Sequence, residues 1–148
     1  MDGFDPVDAA ALDLALAQAR AHGMLAFLVG GAVRNARLGV PVKDLDLVVD
    51  ADNPQAVLDL TRDLARRLRG SYVPLDPGRG IARIVLEGGR DLDLATRCGP
   101  TLEEDLRRRD FTVNAIAWNP RSGEVRDPTG GCADLERKVL RPCTRTSL

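Results

Sequence analysis

The sequence predicts an α/β (α+β) fold, a small mixed sheet packed against helices. Helical and strand-like apolar patterns alternate along the chain, and glycine and proline fall at the joints between them. The 44% of residues that are apolar are mostly Ala, Leu and Val, short side chains that suit helices packed on a sheet. With 148 residues the chain has the size of one domain, or of one domain and the start of another.

Each element has a local cause. Asp5-Pro6 supplies an N-cap and a proline at the first helical position, so a helix runs from there to near Gly23. Residues 24–29 form a buried strand that ends at Gly30-Gly31. A short helix over 32–38 is closed by Gly39, which enters the left-handed region without penalty, and Pro41 prevents its continuation. A strand follows over 45–49. Asn53-Pro54 starts the next helix, in which Val57, Leu58, Leu60, Leu64 and Leu68 recur at helical spacing until Gly70. Two strand-like segments, 81–86 and 92–95, are joined by Glu87-Gly88-Gly89-Arg90, whose glycines suit a hairpin. Thr101 and Glu104 make a capping box for a helix through Arg109, and 111–118 reads as another short helix or its continuation. Residues 127–131 form a turn before the segment 133–140.

Charge and cysteine content exclude several function classes. A formal charge of −1 gives the molecule no overall basic field for gripping nucleic acid, yet arginine is clustered at 62, 66, 67 and 69, at 107–109, and with Lys138 at 137, 141 and 145. For the 62–69 run, a solvated helix face and a binding patch fit equally well. Cys98, Cys132 and Cys143 are odd in number and lack CxxC or Cys/His spacing, which supports neither a disulfide framework nor a zinc site. The acidic start and the lack of any apolar stretch near ~18 residues point to a soluble, cytoplasmic protein with no membrane partner. His22, the single histidine, is expected to face the carbonyls at the end of the first helix. Ser/His/Asp and Cys/His catalysis are thereby disfavoured.

The chemistry concentrates at Asp44-Leu45-Asp46. In a strand, side chains two apart share a face, so Asp44 and Asp46 hold their carboxylates side by side. Two adjacent carboxylates repel unless a cation lies between them, and Mg²⁺ suits the pair because it takes one or two carboxylates plus waters and substrate phosphates. Alone, DLDLVVD is also an ordinary strand start with solvated acids. Context changes this: Gly30 and Gly31 lie where a strand hands over to a helix, so backbone N–H groups and the positive helix end can cradle phosphate, with Arg34 one turn in. Neither GxGxxG nor GxxxxGK[ST] is present, so a Rossmann or Walker site lacks its fingerprint. The second acidic strand, Asp91-Leu92-Asp93-Leu94, places Asp93 or Asp91 as a third carboxylate if it lies beside the first. Arg108, Arg109, Asp110 and Asn114, interleaved with apolar residues, can face a sugar and triphosphate on one side and the core on the other.

Four segments in order, LVGGAVRN, DLDLVVD, RRDFTVNAIA and DPTGGCADL, together resemble the head of bacterial tRNA nucleotidyltransferases and related poly(A) polymerases, the CCA-adding family of the polymerase β superfamily. The resemblance covers residues 24–140. It implies a polymerase β-like nucleotidyltransferase head over 1–140, with 141–148 starting the connection to a helical neck. It also implies transfer of a nucleoside monophosphate from CTP or ATP to a tRNA 3′ end, without a template. Asp44 and Asp46 match the Mg²⁺-holding acids and Asp93 the third acidic position. Gly30, Gly31 and Arg34 match the triphosphate contacts. Arg108, Arg109, Asp110 and Asn114 match the ribose and nucleotide contacts, and Asp127, Gly130 and Gly131 the segment coupling head to neck.

Two departures refine the expectation. Asn35 stands where the family often has Asp, removing a local carboxylate. The chain between Thr96 and Leu102 is short where many CCA-adding members carry a flexible loop, which resembles CC-adding enzymes and some A-adding relatives. The base-selecting Asp-Pro-x-Arg segment and the tRNA-holding helices of the family are not in the sequence, so weak nucleotide selectivity and little tRNA affinity are expected of this stretch alone. The alternatives are a catalytically silent nucleotide- and metal-binding module of the same fold, and an A-adding or poly(A) polymerase relative.

Overall fold

The computed structural model describes residues 3–144. Helix α1 (Pro6–Ala21) begins where the Asp5 carboxylate accepts the Val7 N–H at 2.9 Å. It is followed by β1 (Leu25–Val29), α2 (Gly31–Leu38), β2 (Leu45–Asp50) and α3 (Pro54–Leu68). Then come β3 (Ser71–Asp76), β4 (Ile81–Leu86), β5 (Arg90–Thr96), α4 (Leu102–Arg107), β6 (Ala117–Trp118), β7 (Val125–Arg126) and α5 (Gly131–Glu136). The strands form one mixed sheet in the order β3-β4-β5-β2-β1-β6-β7, with β2 and β5 parallel and the other neighbours antiparallel.

The period-two alternation of the strands sorts the core into two layers. Leu45, Leu47 and Val49 of β2, Leu92 and Leu94 of β5 and Ile84 of β4 pack with Leu12 and Leu16 of α1 and Leu60 and Leu64 of α3. On the other face Phe27, Val29 and Val48 pack with Leu102 and Leu106 of α4 and with Ala115 and Ala117. Each fully buried Leu, Ile, Val or Phe among them contributes roughly 1.5–3 kcal/mol of transfer free energy. The second core is the smaller one, and it leaves that face open where β2 and β5 begin.

Four expectations are corrected. A strand, β3, fills the stretch after Gly70 that carried no predicted element. Its interior Pro74 is tolerated because β3 is an edge strand with a register shift between Pro74 and Asp76. Residues 111–118 are not a helix. Phe111 is extended, Thr112–Asn114 makes one 3-10 turn, and Ala117–Trp118 joins the sheet beside β1. There the Asp110 carboxylate accepts the Phe111 N–H at 2.7 Å and so offers the backbone an alternative to helix. Val125–Arg126 adds the short strand β7. The His22 ring does not face the α1 carbonyls; its Nε2 lies 3.6 Å from Asp63, and its backbone N–H satisfies the helix end.

The 62–69 arginines form the solvated face of α3. Arg66 and Arg67 pair with Asp63 at 3.3 and 3.0 Å, and Arg62 lies 5.0 Å from the Tyr72 ring centre. Residues 141–143 run beside the segment 110–112, with the Arg141 carbonyl accepting the Thr112 N–H and the Cys143 N–H reaching the Asp110 carbonyl. Arg145 and the rest of 145–148 lie outside the described residues. Among the described residues no helix is long and apolar enough to cross a membrane.

At the start of β5, Arg90 donates to both Asp5 oxygens at 2.7 and 2.8 Å. The Arg90 hydrogen bonds and the Val7 N–H hold the Asp5 carboxyl down to about 2. A depressed carboxylate stabilises the fold above its unfolded value near ~4 and loses that contribution as pH falls through the folded value. Asp5→Ala is therefore expected to melt below the wild type at pH 7, with the gap closing toward pH 2. Thermal melts across that range check it.

Candidate functional site

The site is built by strand register. In the antiparallel β1–β2 pair Val29 lies opposite Asp46, so the turn at Gly30-Gly31 falls beside that carboxylate. Gly30 has φ +69°, and a β-carbon on it would sit 3.9 Å from Asp46 Oδ2. Only glycine takes this conformation readily while letting the backbone approach. α2 starts there, so its positive N-terminal end lies close to the Asp46 carboxylate.

Across the sheet, Asp46 pairs in register with Asp93 in β5, and Asp93 with Arg83 in β4. The second acidic strand therefore does lie beside the first. Arg83, Asp93 and Asp46 stand in a row on the open face, in a cleft of about 350 Å³ lined also by Asp44, Leu45 and Asp91. Arg83 Nε and Nη2 donate to the two Asp93 oxygens at 2.8 and 3.1 Å. The Asp46 side chain is exposed to solvent yet lines this concavity. Desolvation by the surrounding protein, reinforced by the charges of Asp93 and Asp44, raises its pKa, while Arg109 and Arg83 oppose the rise.

Two motifs far apart in sequence are tied together beside the glycine turn. Arg34 Nη1 donates to Asn114 Oδ1 at 3.0 Å, and Asn114 Nδ2 donates to Asp110 Oδ1 at 3.2 Å. The Phe111 N–H, and then the Asn114 amide, hold the Asp110 carboxyl below its ordinary value. Arg109 Nη2 donates to Asp105 at 3.2 Å, and its Nε is buried with no partner. Arg108 turns elsewhere. Its Nη1 donates to Cys98 Sγ at 3.2 Å on a neighbouring cavity of about 500 Å³, which Arg79, Arg97 and Arg109 also line.

Asp127, Gly130 and Gly131 start α5 against the turn at 112–114. The Gly131 and Cys132 N–H groups donate to the Asp127 carboxylate at 2.6 and 2.9 Å, starting α5, and Gly130 has φ +78°. Gly131 is buried against the Thr112 carbonyl, and Asp134 accepts from the Thr112 hydroxyl at 2.7 Å and from Arg141 at 3.1 Å. Sequence reasoning missed Arg83, Asp105 and Asp134. Arg83 had a signal, as the charged outward residue of the alternating run Ile81-Ala82-Arg83-Ile84.

Whether these residues suit Mg²⁺ is decided by donor chemistry. Asp44 and Asp46 offer hard oxygens, and like-charge crowding at Asp46 is what a cation relieves. Among the described residues no three His, Cys, Asp or Glu side chains converge as a metal-holding group, since Asp93 is held by Arg83. Two carboxylates suffice for Mg²⁺ when waters and substrate phosphates complete its octahedron, so the residues fit.

Residues 26–141 match the poly A polymerase head domain. The chain belongs to that family. It is 46% identical over 127 residues to a CC-adding tRNA nucleotidyltransferase of Geobacter sulfurreducens, a match covering 85% of this chain and 29% of the relative. It is 45% identical over 132 residues to a multifunctional CCA protein of Xanthomonas campestris pv. campestris, covering 80% of this chain and 30% of the relative. Its fold is similar to that of the Thermotoga maritima CCA-adding enzyme complexed with tRNA, with TM-score 0.85 and 34% identity over 97% of this chain and 34% of that one. The chain spans about three tenths of the length of the curated relatives it matches.

In this poly A polymerase head domain, residues 97–101 alone connect β5 to α4. Asn35 accepts from Arg34 Nε at 3.4 Å and donates to the Pro41 carbonyl at 3.3 Å, so an amide serves both neighbours where a carboxylate would serve only the arginine.

Proposed function

We propose that the chain is the catalytic head of a Mg²⁺-dependent, template-independent nucleotidyltransferase that adds CTP- or ATP-derived residues to a tRNA 3′ end. The observation that carries this reading is the register that sets the glycine turn beside Asp46, with the Arg34–Asn114–Asp110 chain adjoining that turn. Asp44 and Asp46 would hold Mg²⁺, which when bound lowers the pKa of the attacking hydroxyl and neutralises the leaving pyrophosphate. The reaction forms a bond from the tRNA 3′ oxygen to the α-phosphorus and breaks the α–β phosphoanhydride bond, releasing pyrophosphate.

The chain's own residues bind and orient. N–H groups at the start of α2 receive triphosphate oxygens, and Arg34, pre-aimed by Asn114, adds a charged contact to them. The Arg109 charge opposes the rise of the Asp46 pKa from the side of the neighbouring cavity, which Arg109 lines. Asp110 and Asn114 offer an acceptor and an amide to the ribose. No protein nucleophile is required, and catalysis comes from positioning and charge.

Near-equal identity to a CC-adding and a multifunctional CCA relative gives the choice of product to features other than overall similarity. The short 97–101 connection favours CC addition over complete CCA synthesis. A silent binding module of the same fold is disfavoured by the intact Asp44/Asp46 pair.

Labelled-CTP incorporation into tRNA tests the function, and CTP calorimetry tests the site. Arg34→Ala removes a charged hydrogen-bond donor and is expected to weaken CTP binding about 10- to 100-fold. An unchanged affinity would move the triphosphate away from α2.

A further inference from the structure

Four carboxylates line the cleft, yet they share one arginine. Arg83 is placed by the β4–β5 hairpin directly across from Asp93, and it meets that carboxylate as a bidentate fork at 2.8 and 3.1 Å. Its Nη1 lies 3.7 Å from Asp91, and its charge reaches Asp46. Both Asp93 oxygens are engaged by a cation that a dication must approach to use them. Asp93 stands one strand from Asp46 in register, the place from which a third ligand would come.

We propose that Arg83 is a positioning residue that withholds Asp93 from metal, leaving a two-carboxylate site that fills well only when nucleotide phosphates supply the remaining oxygens. This rests on the reading of Asp44 and Asp46 as the metal-holding pair. Its consequence is coupling: with Arg83 present, metal and nucleotide enter together, because the protein alone offers too few oxygens and the nearby guanidinium opposes a free dication. Linkage makes the effect reciprocal, so metal raises nucleotide affinity by the factor that nucleotide raises metal affinity. Removing Arg83 frees Asp93, deepens the negative charge of the cleft and lets metal bind without nucleotide.

The test is titration of Mn²⁺, as a spectroscopic probe of the Mg²⁺ site, into the chain with and without CTP, followed by electron paramagnetic resonance. Arg83→Met is expected to tighten nucleotide-free Mn²⁺ binding about tenfold or more and to shrink the enhancement by CTP. Arg83→Met/Asp93→Asn removes the pair together, strands no charge, and keeps the test alive where the single variant fails to fold. It is expected to bind nucleotide-free Mn²⁺ within about threefold of the wild type, because the charge balance is restored and a residue that was not a ligand has been lost. Nucleotide-free binding unchanged or weakened in Arg83→Met overturns the proposal, as does a loss of about tenfold or more in the double variant. Asp46→Asn separates the two readings: if it keeps full Mn²⁺ binding with CTP, the metal pair itself is misassigned, whereas its loss beside an unchanged Arg83→Met overturns only the role of Arg83.

Discussion

Asp46→Asn is expected to lower nucleotide incorporation by on the order of 10³-fold while raising the melting temperature at neutral pH. The two effects have one cause. Partial desolvation in the cleft and the charges of Asp93 and Asp44 raise the pKa of the solvent-accessible Asp46, so the folded chain at pH 7 holds a carboxylate that its surroundings disfavour. A raised carboxyl contributes its favourable share below the unfolded pKa near ~4 and loses it as pH rises through the folded pKa. The neutral amide escapes that loss, so the variant melts above the wild type at pH 7 and the gap closes below about pH 4. Melts at pH 7 and pH 3, with incorporation assayed in a chimera continued by the downstream regions of the Geobacter sulfurreducens relative, check both halves. A lower melting temperature at pH 7 would mean that Asp46 is a structural partner.

The largest loss of stability is expected at Gly131→Ala. A β-carbon there would overlap the Thr112 carbonyl oxygen and press on Ile116 Cγ1. Gly131 does not have a positive φ, so backbone conformation is not its reason. It is glycine because α5 starts against the 3-10 turn that follows Asp110. Neither side can yield cheaply: Thr112 is tied to Asp134 through its hydroxyl and to Arg141 through its N–H, and Gly131 is tied to Asp127. Overpacking of this kind against backbone is expected to cost about 3 kcal/mol or more. Displacement of Thr112 moves Asp110 and Asn114 with it, so CTP affinity should fall as well. Denaturant unfolding and CTP calorimetry on the same preparation measure both. A variant of wild-type stability would show that α5 can shift freely.

What the sequence makes legible follows from how local each cause is. The Asp5 and Asn53 caps, the Gly39 stop and the Gly88-Gly89 hairpin depend on neighbours within a few residues, and the structure has them. The carboxylates and the glycine turn were visible as motifs, but their meeting depends on register between strands. The β2–β5 pairing could be posed from sequence only as a condition, and Arg83 becomes meaningful only once β4 is in register with β5. The local pattern at 112–114 reads as helix, but side-chain acceptors at Asp110 and packing of α5 override it. Edge strand β3 was missed because its residues are mostly exposed and interrupted by proline.

Nucleotidyl transfer at the Asp44/Asp46 cleft is tested by supplying tRNAs ending at each step of CCA, with each single NTP, to the chain and to the chimera with the Geobacter sulfurreducens downstream regions. Mg²⁺-dependent single-nucleotide extension by the chimera is expected, CTP being used on tRNA lacking both C residues, and it is lost on Asp46→Asn. Absence of extension on every tRNA while CTP and metal still bind, or extension that survives Asp46→Asn, would contradict transfer at that cleft.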